Sequence, residues 1–328
     1  MEHALYGDGG FYRRERPADH FRTSVGAAPL FARAVAELVV RVDRALGSPE
    51  HLDVVDVGAG DGGLLHGVLH HVPDDVRRRL RATAVEIRTV PAELDPDIDW
   101  TAVMPEKVIG VVVANEYLDN VACDVVQRSA GQLRQVMVNS SGDEELGEPV
   151  TPAEQQWLQH WCPGLEDGDR AELGLSRDVA WASIVQRLAR GVAVAVDYGH
   201  TGPERASGRF APGTLTGYRN GYQVPAVPDG TSDITAHVAV DSCATAGSAA
   251  GAEHTALIRQ RDALRALGLS AQPPPLSLAH SAPRRYVVEL SQSSAAAELT
   301  DPSALGAFWW LLQSKSVTLP IETSALSD

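Results

Sequence analysis

Leu52-Asp53-Val54-Val55-Asp56-Val57-Gly58-Ala59-Gly60-Asp61-Gly62-Gly63 reads as a buried strand running into a glycine turn, and the following stretch, LLHGVLHHV, reads as a helix. Glycines at a strand-to-helix turn allow unusual dihedrals and let a ligand approach the backbone with no Cβ in the way. Two ligand classes fit. Gly58, Gly60 and Gly63 satisfy the GxGxxG dinucleotide pattern, and Glu86, at a strand end twenty-six residues past Gly60, suits a ribose hydroxyl. The same residues satisfy the S-adenosylmethionine version of the turn, in which an acid stands two positions before the first glycine. Here that acid is Asp56. The turn alone leaves both cofactors open.

Working outward, Arg81–Glu86, Lys107–Ala114 and Val192–Asp197 read as strands buried on both faces, separated by helical stretches. That pattern predicts a parallel, doubly wound α/β sheet. Leu30, Phe31, Val35, Leu38, Val39, Val42 and Leu46 recur at helical spacing until Gly47 and Pro49 end the run. The expected organisation has residues 1–50 as loop and helices packing on a cofactor domain, with a core of 51–138 and 191–200. An inserted helical segment at 139–190 follows, then a Gly-, Pro-, Ser- and Thr-rich loop or small cap at 201–252. Residues 253–328 close the chain with helices (Glu253–Leu267, Tyr286–Leu299) and a last strand near Phe308–Leu312. Leu133–Val138 reads as one more strand.

Composition narrows the function classes. A chain of 328 residues suggests about two domains, or one α/β domain with large insertions. The balance of 28 Lys+Arg against 43 Asp+Glu, a net charge of −15, argues against a sequence-independent nucleic-acid binder. Three cysteines at wide spacing (Cys123, Cys162, Cys243) form neither a CxxC pair nor a disulfide framework. The amino terminus shows no secretory pattern, and the longest apolar run, near Val108–Ala114, falls far short of a membrane span; a soluble, cytoplasmic protein is expected. His66, His70 and His71 share one helix with no acid close by in the linear order and no HExxH occurs, so no metal is expected. No GxSxG or Cys/His nucleophile arrangement supports acyl transfer.

The end of the third strong strand separates the two cofactors. It delivers Asn115-Glu116-Tyr117-Leu118-Asp119 to the carboxyl edge of the sheet, where open α/β sheets bind ligands. Hydride transfer has no need of a carboxylate cluster there. Methyl transfer from a sulfonium to a nitrogen does, because the nucleophile must be held in line and its charge balanced. Acids at a helix start also serve as caps. Asp197-Tyr198-Gly199-His200 adds another acid on the same edge, and PDGTSDITAHV places Asp233 and His237 in a loop or helix start.

Six blocks then occur in order: Tyr6-Gly7 to Gly10-Phe11-Tyr12 with Asp19-His20-Phe21-Arg22-Thr23-Ser24 and Pro29-Leu30-Phe31; Val57-Gly58-Ala59-Gly60-Asp61-Gly62; Asn115-Glu116-Tyr117-Leu118-Asp119-Asn120-Val121; Asp197-Tyr198-Gly199-His200; Gly213-Thr214-Leu215 with Tyr218; and Asp233-Ile234-Thr235-Ala236-His237-Val238. Together they resemble the MidA-type S-adenosylmethionine-dependent methyltransferases, relatives of the mitochondrial complex I assembly arginine methyltransferase. The resemblance implies a Rossmann-like class I methyltransferase sheet with a helical amino-terminal segment and a substrate-covering second part. It implies S-adenosyl-L-methionine as cofactor and a protein arginine as acceptor, with a respiratory-complex subunit as a candidate partner. On this basis Asp56, Gly58, Ala59, Gly60, Gly62, Glu86 and Asn115 are expected to hold the cofactor and Glu116 and Asp119 to clamp the acceptor. Asp197 and His237 are expected as supporting groups or a proton relay. Thr216 stands where the family has Arg, Gly221 where it has His, and Ala122 where it has Pro. These departures keep a small-molecule N- or O-methyltransferase as an alternative. A cofactor-binding assembly factor is another, with Trp157, Trp161, Tyr198, Tyr218 and Tyr222 lining a client surface.

Overall fold

The computed structural model describes residues 1–14 and 29–321; Arg16, in the basic stretch near the amino terminus, and Asp19-His20-Phe21-Arg22-Thr23-Ser24 lie outside the described residues. The chain divides into two compact units. Strands are numbered here in chain order across both.

Among the described residues, one unit holds 29–115, Arg187–Val196 and the chain from Ala252 onward. Its strands are β1 (Leu52–Val57), β2 (Leu80–Val85), β3 (Ile98–Thr101), β4 (Val108–Asn115), β9 (Leu188–Asp197), β15 (His254–Arg259) and β16 (Trp309–Lys315). They form a seven-stranded sheet in the order β15-β16-β9-β4-β1-β2-β3. The run from β3 to β9 is parallel and β15 is antiparallel to β16. This is a Rossmann-like, doubly wound sheet, as the alternation of valine-rich runs and helices predicts. Val54, Val55, Val111 and Val112 are wholly inaccessible, and each such side chain contributes about 1.5–3 kcal/mol by leaving water. The helix Pro29–Ala45 turns Phe31, Val35, Leu38, Val39 and Val42 into the same core.

Mid-sheet, three backbones come unusually close. Gly110 pairs with Asp53 on one side and Gly191 on the other. With φ at 150° and 122°, both glycines occupy conformations that disfavour a side chain, and a Cβ on either would collide with a neighbouring carbonyl oxygen. The Asp53 carboxylate accepts the Ile109 N–H at 2.7 Å beside a register shift in β4.

The second unit holds the first residues of the chain, Glu116–Gln186 and Asp197–Gly251. Here β5 (Val125–Ser129), β6 (Gln132–Val138), β7 (Glu144–Pro149) and β8 (Arg170–Glu172) make an antiparallel sheet in the order β7-β6-β5-β8. The strand expected at Leu133–Val138 is therefore present, but it pairs with β5 and β7 and not with the parallel sheet. Segment 139–190, expected as helical, carries β7 and β8 besides the helices Pro152–Trp161 and Leu175–Arg187. Trp157, a candidate for a client surface, is buried at 6% exposure and donates its indole N–H to Asp178 and Ser242.

The stretch 201–251, expected as loop or cap, folds into short elements. A small sheet runs β12 (Tyr222–Val224), β11 (Thr216–Arg219), β13 (Asp233–Thr235), and β10 (Gly199–His200) pairs with β14 (Val238–Ala239). Gly221 has a local reason to replace His. With Asn220 at φ 52° and Gly221 at φ 81°, the β11–β12 hairpin turns on two positive-φ residues. The helix expected over Glu253–Leu267 is half wrong: His254–Arg259 pairs along β16 as an edge strand, and only Gln260–Ala266 is helical.

We expect Gly191→Ala to destabilise the protein by roughly 2 kcal/mol or more, from strain and lost close packing. Urea denaturation of the two proteins checks this, and an unchanged midpoint would mean the strands can separate at no cost.

Candidate functional site

After β1 the chain turns through Gly58, Gly60 and Gly62 at φ 76°, 64° and 81°, all in the left-handed region. The Gly58 and Ala59 N–H groups donate to Val85 O at 2.9 and 3.3 Å, which closes the turn against the end of β2. Glu86 follows β2, and its carboxylate reaches back across the turn. Oε2 accepts the Gly60 N–H at 3.0 Å, Oε1 accepts the Arg88 N–H at 3.1 Å, and the Arg88 Nε lies 3.5 Å away. A Cβ on Gly62 would meet Leu94 Cδ1 at 3.0 Å, and one on Gly60 would lie 3.5 Å from Arg88 Nη2. The cradle is thus shaped for backbone, with an acid beside it that keeps acceptor capacity for hydroxyls. These are features an adenosyl cofactor requires. Asp56, two residues before the first glycine, is 3% exposed. Burial first, then the charges of Glu86 and Asp61, pushes its carboxyl up to about 7. Asn115 ends β4 and is buried.

The next residue begins the second unit. Glu116 has φ 49°, a conformation costing a non-glycine residue on the order of 1–3 kcal/mol, and its carbonyl accepts the Asn120 side-chain N–H at 3.1 Å. A one-turn helix, Leu118–Asn120, follows. Asp197, the last residue of β9 and 1% exposed, receives both the Leu118 and Asp119 N–H groups on Oδ2, at 3.0 and 3.1 Å. Asp119, 4% exposed, takes the Tyr198 hydroxyl at 2.5 Å and the Thr235 hydroxyl at 2.8 Å on its own Oδ2. The second oxygens of Asp119 and Asp197 have no hydrogen-bond partner among the described residues. Burial raises both carboxyls, and in Asp197 the charge of Asp119 adds to the effect. Asp233 accepts the Tyr12 hydroxyl at 2.8 Å and is raised to about 7, by burial and then by Asp119. His237 stands apart from the carboxylates. Its ring packs on Tyr198 and Phe210 with centroids 5.3 and 5.5 Å away, burial lowers its pKa, and Nδ1 has no partner among the described residues.

Within this unit, then, Glu116, Asp119 and Asp197 converge through one turn, and Tyr198 connects Asp119 with His237. Asp197 acts as a cap for the turn. Sequence reasoning missed several members. Arg177, 1% exposed, donates to the carbonyls of Asp119, Val121 and His237 at 2.8, 3.2 and 2.8 Å, fixing two segments with one guanidinium. Tyr12, Thr235 and Arg88 were also unassigned. Tyr12 and Thr235 lie inside two of the six blocks, and Arg88 stands two residues past the strand-end acid.

A family model described as "Putative S-adenosyl-L-methionine-dependent methyltransferase" matches residues 34–258. The crystal structure of a COG1565 superfamily member from Burkholderia thailandensis, bound to S-adenosyl-homocysteine, is similar at 25% identity and a TM-score of 0.80, covering 99% of this chain and 91% of that one. A native structure of a COG1565 superfamily protein from the same organism gives 25% identity and a TM-score of 0.79, over 99% and 90% of the two chains. No curated protein matches.

Two measurements test this geometry. Asp197→Ala orphans two buried N–H groups and should cost at least about 2 kcal/mol in urea denaturation, whereas Asp197→Asn keeps an acceptor and costs less. Equal losses would deny the capping role. For Asp56, the folded carboxyl holds a proton up to about 7 that the unfolded chain releases near 3.8. Stability relative to Asp56→Asn should therefore fall as pH rises through that window and level off above it. A flat difference would mean the carboxyl is not buried.

Proposed function

Because the chain belongs to this family of S-adenosyl-L-methionine-dependent methyltransferases, we propose that it N-methylates an arginine side chain of a protein partner in the cytoplasm, as a MidA-type enzyme. A respiratory-complex subunit is the partner this reading favours. The observation that carries it is the open oxygen of Asp119, a buried carboxylate held by two hydroxyls and surrounded by further acids that raise one another's pKa. A buried acceptor oxygen of that kind suits a cation with hydrogen-bond donors, and a guanidinium matches a carboxylate in fork geometry.

In this reading Asp56, Gly58, Ala59, Gly60, Gly62, Glu86 and Asn115 hold the cofactor, with Glu86 accepting from the ribose hydroxyls. When bound, the cofactor supplies an electrophilic methyl on a charged sulfur. Glu116 and Asp119 orient the acceptor guanidinium, whose pKa above ~12 prevents simple loss of a proton. Asp119 Oδ1 would accept the N–H proton that the guanidinium gives up when the methyl passes from sulfur to nitrogen and the neutral thioether leaves, a role suited to a carboxyl whose pKa burial has raised. Tyr198 and Thr235 fix the orientation of that carboxyl from its other oxygen, and His237, packed against the Tyr198 ring, is the proposed supporting group beyond it. Asp197 acts only on the position of the turn. Orientation of this kind supplies the larger part of the rate.

The test has two arms. Gly60→Arg should abolish S-adenosylmethionine binding in calorimetry, and retained binding would move the cofactor elsewhere. Asp119→Asn should keep cofactor binding and lose roughly 100-fold or more of the methyl transfer, the range for a general base. With labelled cofactor and lysate, label recovered as methylarginine supports the acceptor. Label confined to the low-mass fraction assigns a small-molecule substrate instead.

A further inference from the structure

The helix Gly63–His71 carries His66 and His70 one turn apart, their rings 4.4 Å between centroids. Asp95, distant in sequence, lies beside them: its Oδ2 is 3.1 Å from His66 Nδ1. One donor atom from each of the three falls within 4.8 Å of the others. We propose that His66, His70 and Asp95 bind a divalent transition-metal ion, with Zn²⁺ as the probe.

The donor set selects this chemistry. Two imidazoles and one carboxylate suit Zn²⁺ and its borderline neighbours, and not Mg²⁺ or Ca²⁺, which take oxygen ligands. Three protein ligands leave a fourth position for water at an exposed site. Supporting contacts are already made. His70 Nδ1 faces the His66 carbonyl at 3.0 Å, which commits that nitrogen and leaves Nε2 for the ion. Asp95 Oδ1 accepts the Asp97 N–H at 3.0 Å, which fixes the carboxylate. Asp95 follows Leu94, which packs over Gly62. A bound ion would join the helix that starts at the glycine turn to the loop that covers it. The proposal stands whether or not that turn holds the cofactor.

The test is calorimetry of ZnCl₂ into the whole protein, without any cofactor. One saturable site per chain is expected. Loss of a supporting contact typically weakens a metal site about 10–100-fold, so His66→Ala, His70→Ala and Asp95→Asn should each weaken binding at least tenfold. His71→Ala, on the same helix but with Nδ1 at the Gly67 carbonyl, should leave affinity unchanged. A wild type without saturable binding, or variants that bind as it does, overturns the assignment. Thermal melts separate ligation from misfolding: Zn²⁺ should raise the melting temperature of wild type and His71→Ala and of none of the three ligand variants.

Discussion

Two backbone N–H groups, those of Leu118 and Asp119, meet on one oxygen of Asp197, and this junction holds the turn that carries Asp119. The strand ends at Asn115 and Glu116 must bend through a left-handed conformation, which a glutamate adopts only when its surroundings hold it there. Asp197 anchors the residues that follow, through the Leu118 and Asp119 N–H groups. The turn then presents Asp119, whose carboxylate is fixed by Tyr198 and Thr235, while the guanidinium of Arg177 draws in the carbonyls on either side. A carboxylate out of water needs donors or a proton, and each buried acid here meets that demand differently: Asp197 with backbone, Asp119 with hydroxyls, Asp233 with Tyr12.

The same demand shapes the glycine turn. Glu86 satisfies its carboxylate with the Gly60 and Arg88 N–H groups, so the acid that follows β2 also sets the conformation of the loop after β1. A ligand hydroxyl would add to that arrangement through the acceptor capacity left on the carboxylate. On the proposed reading, cofactor binding and local stability rest on the same side chain.

Where burial was two-sided, the pattern of residues was readable. Val-rich β1 and β4 stand where the sequence reading placed them because no amphipathic helix or half-exposed strand produces such runs. The strands β5 to β8 were harder. Segments such as Val125–Ser129 and Glu144–Pro149 mix charged and apolar residues on a sheet with one wet face, and their pairing with β6 is decided by two hairpins, one at Ala130 and Gly131 and one between Asn139 and Asp143. His254–Arg259 failed for a related reason, since an edge strand exposes much of its length and its apolar spacing also fits a helix. In the candidate site, acids just past strand ends announced themselves. Arg177 did not, because a charged residue in a helix looks like surface until tertiary contacts bury it. Asp95 beside His66 and Tyr12 beside Asp233 are pairings of distant segments that no local spacing records.

The central claim is that the turn from Gly58 to Gly62 and the acid after β2 receive the adenosyl cofactor. A crystal structure with S-adenosyl-homocysteine tests it most directly. The account predicts ligand density along residues 58–62, with ribose oxygens at hydrogen-bond distance from the Glu86 carboxylate. Density lodged elsewhere, with Glu86 contacting only Gly60 and Arg88, would contradict it.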